Sequence, residues 1–295
     1  MAIATPSEFG LVRLPTELII DTITKVEWEQ RTLCNLRLVC RNFDDILRSF
    51  ENTITNALLQ SQFPSSSRNM FPSLFQEASK YSTVSEVQRR WDILGRLEHN
   101  CVHIGEREGK QGWMIPRSIK IHSTGLCLLF RLQDVGSGGS QATLIRSLPC
   151  TSLLVLLFSL TLSLHQLRVN GPDILNSSAP VQCAAFRAEM ELACLELLLQ
   201  HGPQFLLSLL EKDSNAMSLL ESEYDRMEIR QMAYPDGTPK PPTLISVLRR
   251  TLSARLECDW RDHHKYMLNF LHEERFHDIS EEDTSKIVQG LDPYA

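Results

Sequence analysis

The chain lacks the paired cysteines that would cross-link a small secreted domain or hold a zinc ion. Its eight cysteines are spread along the sequence among apolar neighbours, and none of them forms a CxxC pair. Isolated cysteines of this kind behave as small buried hydrophobic residues, which is typical of a reducing compartment. The N-terminus also lacks a basic segment followed by an apolar one. We therefore expect a cytoplasmic or nuclear protein.

An excess of positive charge is also missing. The chain has 30 Lys and Arg against 36 Asp and Glu, a net charge of −6. Nucleic-acid binding depends on clustered Lys and Arg side chains that neutralise phosphates. Arg249, Arg250 and Arg255 form one basic helix face, which we expect to contact water or an acidic neighbour. The charge balance argues against nucleic acid as a main partner.

The sequence contains none of the common catalytic or cofactor motifs. No Gly-rich phosphate loop, HExxH pair, GxSxG elbow or EF-hand pattern occurs. His99 and His103 have no second cluster at ligand spacing. The adjacent His263 and His264 on one helix would point about 100° apart, so both would rarely reach one ion. The sequence thus predicts no catalytic residues, no metal and no cofactor, and a protein that is not an enzyme.

The most informative stretch that the sequence does contain is residues 14–50, LPTELIIDTITKVEWEQRTLCNLRLVCRNFDDILRSF. Apolar residues recur in it at three- and four-residue steps, which predicts short helices. Thr16 and Thr32 are the expected N-caps, and the first helix should end near the polar run 27–31. Short helices in so small a unit bury little surface on their own. Their apolar faces must be covered by the rest of this chain, by another chain, or by both.

The order of LPTEL followed by LRLVCRNF in this stretch resembles an F-box, in the form common among fungal F-box proteins. Two positions depart from the family pattern: Thr22, where an apolar residue is usual, and Thr32, where an acidic residue often precedes the leucine of the second block. The resemblance implies docking onto the SKP-type adaptor of an SCF-type cullin–RING ubiquitin ligase. The rest of the chain would then bind an unknown target protein for ubiquitin transfer. Carried over by position in the motif, the adaptor-facing residues are Leu14, Pro15, Leu18, Ile20, Ile23, Leu33, Leu36, Val39, Cys40 and Phe43.

A second interpretation belongs to a different class. The chain could be a self-contained helical scaffold or interaction protein outside any ligase, with residues 14–50 packed into its own core. The two interpretations differ in the exposure of the apolar face at Leu36, Val39 and Phe43. A docking module leaves such a face open in the isolated chain, whereas a scaffold covers it.

The remainder of the chain has helical periodicity and no internal repeat. We expect an all-α fold: a three-helix module followed by a multi-helix domain. The predicted divisions are an N-terminal tail (1–13), the F-box-like module (14–50), a connector (51–82) and a helical target-binding domain (83–295). A short strand at residues 119–122 is the expected exception, because apolar and polar residues alternate there.

Local signals predict several helix ends in the C-terminal part. Thr243 is placed to cap a helix. Ser280 with Asp283 resembles a capping box, and the helix after it should end at Gly290. Gly202, followed by proline, should end another helix.

The segment at residues 147–167 carries no formal charge, and at about 20 residues it is long enough to span a bilayer. A membrane-anchored protein is therefore an alternative. As a helix, however, the segment would place its polar residues on one stripe opposite its leucines, which suits a central helix of a soluble domain better than lipid. The stripe consists of Ser152, Ser159, Ser163, Gln166 and Asn170.

Overall fold

The structure is a computed structural model that describes residues 14–76, 79–109, 114–136, 138–176, 184–233, 242–272 and 279–293. The predicted N-terminal tail, residues 1–13, lies outside this part. The chain forms two compact units, Met1–Trp91 and Asp92–Ala295. Every regular element among the described residues is a helix, which confirms the predicted all-α fold.

The first unit consists of short helices. Residues 51–82, predicted as a connector, contribute helices to this unit. The last helix begins in this unit and contains the boundary after Trp91. The elements are α1 (Thr16–Lys25), α2 (Gln30–Val39), α3 (Arg41–Ser49), α4 (Glu51–Gln62), α5 (Ser67–Met70), a 3₁₀ turn (Pro72–Phe75) and α6 (Tyr81–Arg107).

The predicted N-caps of the first two helices are wrong. Pro15 is the N-cap of α1, and Thr16 is already inside the helix. Glu29 is the N-cap of α2, which begins at Gln30. The Thr32 hydroxyl donates to the Glu29 carboxylate at 3.3 Å. Both threonines had suitable chemistry, but Pro15 already supplies a backbone φ of −54° that suits the start of a helix.

The second unit is built around one central helix, α9. The neighbouring α7 comes so close to α9 at Gly125 that a Cβ there would lie 2.3 Å from the Ser159 Cβ. The elements are α7 (Met114–Asp134), α8 (Gly138–Ser147), α9 (Cys150–Asn170), α10 (Ala184–His201), α11 (Pro203–Leu210), α12 (Ser214–Ala233), α13 (Leu244–Leu256), a 3₁₀ turn (Trp260–Asp262), α14 (His263–His272) and α15 (Glu281–Gln289).

The short strand predicted at residues 119–122 is wrong, because these residues lie within α7. The prediction required Lys120 and His122 to face solvent between two buried isoleucines. His122 is instead fully buried, next to the buried Ile121. Two adjacent buried residues do not fit a half-exposed strand, but both fit a helix packed on more than one side.

Four of the five residues of the polar stripe of α9 have hydrogen-bond partners within the protein, whereas the buried Ser163 has none among the described residues. Ser152 donates to the Ile287 carbonyl at 2.8 Å, and Ser159 lies 3.0 Å from Nδ1 of His122. Among the described helices, α9 is long and apolar enough to cross a membrane, but 61% of its most apolar window is buried inside the protein. This packing favours the interpretation of α9 as a core helix.

Several predicted helix ends are confirmed by hydrogen bonds. The Thr243 side chain accepts from the Ser246 amide at the start of α13. Ser280 and Asp283 form a complete capping box before α15, and Gly290 ends that helix in the left-handed conformation. Gly202, with a φ of +70°, separates α10 from α11.

Candidate adaptor-docking surface

The F-box-like module is held together by residues that follow it in the chain. The Gln62 side chain, at the end of α4, accepts from the Trp28 amide at 2.8 Å and donates to the Val26 carbonyl at 2.7 Å. These bonds fix the irregular link between α1 and α2. Since both partners on the link are backbone groups, the contact depends on the position of Gln62 more than on the side chains of the link.

Tyr81 makes a second set of contacts with the module. Its ring stacks on Trp28 with 5.9 Å between the ring centroids, and the Arg37 guanidinium lies 5.7 Å from the Tyr81 ring centroid. Its hydroxyl donates to the Leu47 carbonyl at 2.9 Å. Burial is the main cause that raises the pKa of Tyr81 to about 12, and the negative charge of the nearby Glu51 carboxylate adds to the increase. The phenol therefore stays protonated and remains a donor at neutral pH.

Three of the ten residues predicted to face an adaptor lie in the core of this unit. Ile23, Leu33 and Phe43 are buried. They pack with Ile54 and Leu58 of α4, among others. Three further predicted residues are partly buried against the same core: Ile20, Leu36 and Cys40.

A smaller group of the predicted residues is exposed. Leu14 is 37% exposed, Leu18 is 51% exposed and Val39 is 64% exposed. Pro15 is also exposed. The exposure of the apolar face at Leu36, Val39 and Phe43 was expected to distinguish the two interpretations. Val39 is exposed whereas Phe43 is buried, so the face fits neither interpretation completely.

Leu38 is an exposed apolar residue that the sequence analysis missed. It is 83% exposed, more than any other large hydrophobic side chain among the described residues. Its position falls off the three- and four-residue stripe of α2, and it was therefore not a candidate. The sequence did contain a signal for this exposure, because a leucine outside the core-facing stripe of a short helix is expected to face solvent. We use the term docking surface below for Leu14, Pro15, Leu18, Leu38 and Val39.

Polar groups near the docking surface already have partners. The Thr22 hydroxyl, on the exposed face of α1, donates to the Leu18 carbonyl at 2.7 Å. This bond satisfies the donor, so the departure from an apolar residue at Thr22 costs less on burial than a free hydroxyl would. Lys25 pairs with Asp21 at 2.6 Å. The remaining charge on the exposed face of α1 is that of Glu17 in its first turn.

The two groups with metal-ligating residue types do not form centres. His99 and His103 approach each other to 3.0 Å between their Nε2 atoms, but both are exposed, whereas Cys101 is buried. His263 is buried, with its Nε2 3.0 Å from the Ser253 hydroxyl. No set of three or more His, Cys, Asp or Glu residues in the described part of the chain could hold a metal ion.

Comparison with known proteins finds no match: no family model, no curated protein and no solved structure resembles this chain. The F-box resemblance therefore rests on the sequence of residues 14–50 alone. Any functional assignment has to be argued from this module and from the surfaces described above.

Proposed function

We propose that this chain is the substrate-recognition subunit of an SCF-type cullin–RING ubiquitin ligase. It would bind an SKP-type adaptor through the docking surface and a target protein through the second unit. The observation that carries the proposal is the pair Leu38 and Val39, exposed side by side at the end of α2, within the LRLVCRNF half of the F-box-like sequence. The chain itself performs no chemistry and acts by positioning the target.

The physical argument concerns apolar area. Burying a side chain of Leu or Val size contributes roughly 1.5–3 kcal/mol. Only a surplus survives the cost of association, so a few residues dominate a typical interface. Leu38, Val39 and Leu18 are the most exposed large hydrophobic residues of the first unit, and we assign them this role. On α1, the pairing of Lys25 with Asp21 lowers the cost of desolvating the surface around Leu18.

The resemblance would have Phe43, Leu33 and Ile23 touch the adaptor, and their burial modifies the proposal. They would act indirectly, by holding α1, α2 and α3 in place. This arrangement is also the specific observation that favours the second candidate, a helical scaffold outside any ligase, because these residues already have a core of their own. The scaffold interpretation leaves Leu38 and Val39 without a function.

The two candidates are separated by co-expression with an SKP-type adaptor and affinity purification of the full chain. We expect the wild-type chain to retain the adaptor and Val39→Asp to lose it, since a carboxylate cannot be buried there without a partner. Val135→Asp is the matched control, because Val135 is 40% exposed in the second unit. Equal retention by wild type and Val39→Asp, or no retention by wild type, would contradict the ligase proposal.

A further inference from the structure

A groove in the second unit has an apolar floor and a volume of about 410 Å³. It lies between α9, α10 and α13. Leu160 and Ile245 in its floor are buried, while Leu157, Leu164 and Leu192 are only partly buried. The floor therefore presents apolar surface that the described residues leave partly uncovered.

The rim of the groove carries an aromatic ring and two guanidinium groups. Trp260 is 52% exposed. The Arg249 guanidinium lies 5.3 Å from the Trp260 ring centroid, and that of Arg261 lies 5.9 Å from it. Both distances are within the range of a cation–π contact, which occupies no carboxylate and so leaves the charge of each guanidinium available to an anionic ligand.

A third arginine that lines the groove, Arg168, does have an ion-pair partner. Arg168 makes two hydrogen bonds of 2.6 Å to the carboxylate of Glu191. Among the described residues, no carboxylate lies within ion-pair distance of Arg249 or Arg261. Two acidic residues lie close to Arg261 in sequence: Asp259 accepts from the Arg261 amide at 2.9 Å and caps the 3₁₀ turn, and Asp262 is the last residue of that turn. Within the described part of the chain, two guanidinium groups on the rim thus have no ion-pair partner.

Burial makes this lack of a counter-ion more significant at Arg249. Its pKa is lowered by desolvation, and the pKa of the neighbouring His263 is lowered by burial and by the Arg249 charge. A charge held in apolar surroundings without a partner is unfavourable, so an incoming carboxylate would stabilise it. The chain as a whole has a net charge of −6, which makes this positive rim a local exception.

A second hollow, also of about 410 Å³, shares Leu192, Ile245, Arg249 and Trp260 with the first and continues to Arg250. The two hollows together form an open groove lined by apolar and cationic side chains. Such a shape suits an extended segment whose side chains point in turn to the floor and to the rim. A sealed cavity would suit an acyl chain better.

We infer that this groove binds an acidic peptide segment that carries a large apolar side chain. The apolar side chain would lie on the floor formed by Leu157, Leu164 and Leu192, and carboxylates on either side would pair with Arg249 and Arg261. Trp260 would cover the backbone of the peptide. Use of the groove as the target site of a ligase rests on the function proposed above, whereas peptide binding itself does not.

The test is selection from a random displayed peptide library by the purified full chain, without adaptor. We expect enrichment of sequences with Asp or Glu around Leu, Ile, Phe or Trp. A selected peptide, labelled with fluorescein, is then titrated by anisotropy against the wild type, Arg261→Glu and Trp260→Ala. Both positions are exposed, so both variants should fold, and each should weaken binding about tenfold or more.

Arg255→Glu is the matched control, because Arg255 lies on α13 and is exposed, but it does not line either hollow. It should bind like the wild type. The inference is overturned if no acidic and apolar sequences are enriched, or if Arg261→Glu and Trp260→Ala bind as the wild type does. Binding to anionic lipid vesicles that Arg261→Glu abolishes, without peptide enrichment, would also overturn it. Since the adaptor is absent from this assay, its result is independent of the ligase proposal.

Discussion

Both units expose large apolar side chains and bury polar ones, but the extremes differ: Leu38 and Val39 of the first unit are 83% and 64% exposed, whereas Trp260 and Leu291 of the second unit reach 52% and 53%. The first unit leaves Leu38, Val39 and Leu18 in solvent, although apolar contacts are what a small unit most needs. The second unit takes polar residues such as His122 and Glu196 into its interior. A small unit buries a smaller fraction of its surface on folding than a large one does. The larger one surrounds the His122 imidazole and the Glu196 carboxylate with hydrogen-bond partners. Exposed leucines in the first unit are therefore better candidates for binding than buried polar groups in the second.

The sharpest contrast within the first unit is between the core and the docking surface. Phe43→Ala removes a buried ring and should lower the free energy of unfolding of this unit by about 3–5 kcal/mol. Leu38→Ala removes a side chain that is 83% exposed and should change it by less than about 0.5 kcal/mol. Urea denaturation followed by circular dichroism measures both. Similar losses in the two variants would mean that the inside and outside of α2 and α3 are assigned wrongly.

Glu196 tests the polar interior of the second unit. It is 3% exposed, and its two carboxylate oxygens accept from the amides of Leu244 at 2.9 Å and Ile245 at 3.0 Å. Glu196→Ala leaves these buried donors at the start of α13 without partners and should destabilise the unit by about 2–4 kcal/mol. Denaturant titration gives the value.

Two further variants make the Glu196 result specific. Glu196→Gln keeps an acceptor oxygen and should lose less than Glu196→Ala. Glu221→Ala, on an exposed position of α12, should be close to neutral. If Glu196→Ala were as stable as Glu221→Ala, the carboxylate would not hold α13 in place.

His122 gives the second unit a predictable response to acid. Complete burial lowers its pKa to about 3, against about 6.5 in an unfolded chain. Between these values the unfolded state binds one proton more than the folded state, so stability falls as the pH falls through this window. The loss from this residue should be about 2 kcal/mol between pH 7 and pH 5.

Denaturation midpoints at several pH values measure this loss, and His122→Gln is the matched variant. It should be less stable at pH 7, because Ser159 and Gln166 surround the imidazole, but its stability should depend less on pH. His201 and His263 also have lowered pKa values because of burial, so a smaller dependence in the same direction remains. An unchanged slope in His122→Gln would show that His122 does not carry the effect.

Signals that act over a few residues were predicted well in the second unit, whereas the caps predicted at Thr16 and Thr32 in the first unit were wrong. The capping box at Ser280 and Asp283, the cap at Thr243 and the helix end at Gly202 depend on neighbours in the chain, and all are confirmed. The polar stripe of α9 was also visible, because helical geometry fixes which residues share a face.

Contacts between distant residues were not predictable in the same way. Periodicity identified Phe43 and Val39 as apolar helix positions, but Phe43 is covered by residues such as Ile54 and Leu58 that follow the module, and the sequence gives no direct sign of this. The Gln62 bonds to the link after α1 also join residues far apart in sequence. The groove at Trp260 was missed for the same reason, since helices distant in the chain form it.

The central claim is that exposed apolar residues of the first unit bind an SKP-type adaptor. Titration of the purified full chain with a purified SKP-type adaptor, followed by calorimetry, tests it most directly. We expect saturable binding by the wild type and by Val135→Asp, and binding that is at least about a hundredfold weaker for Leu38→Asp and Val39→Asp. No heat of binding for the wild type, or equal affinities for all four chains, would contradict the claim and leave residues 14–50 as part of the protein's own core.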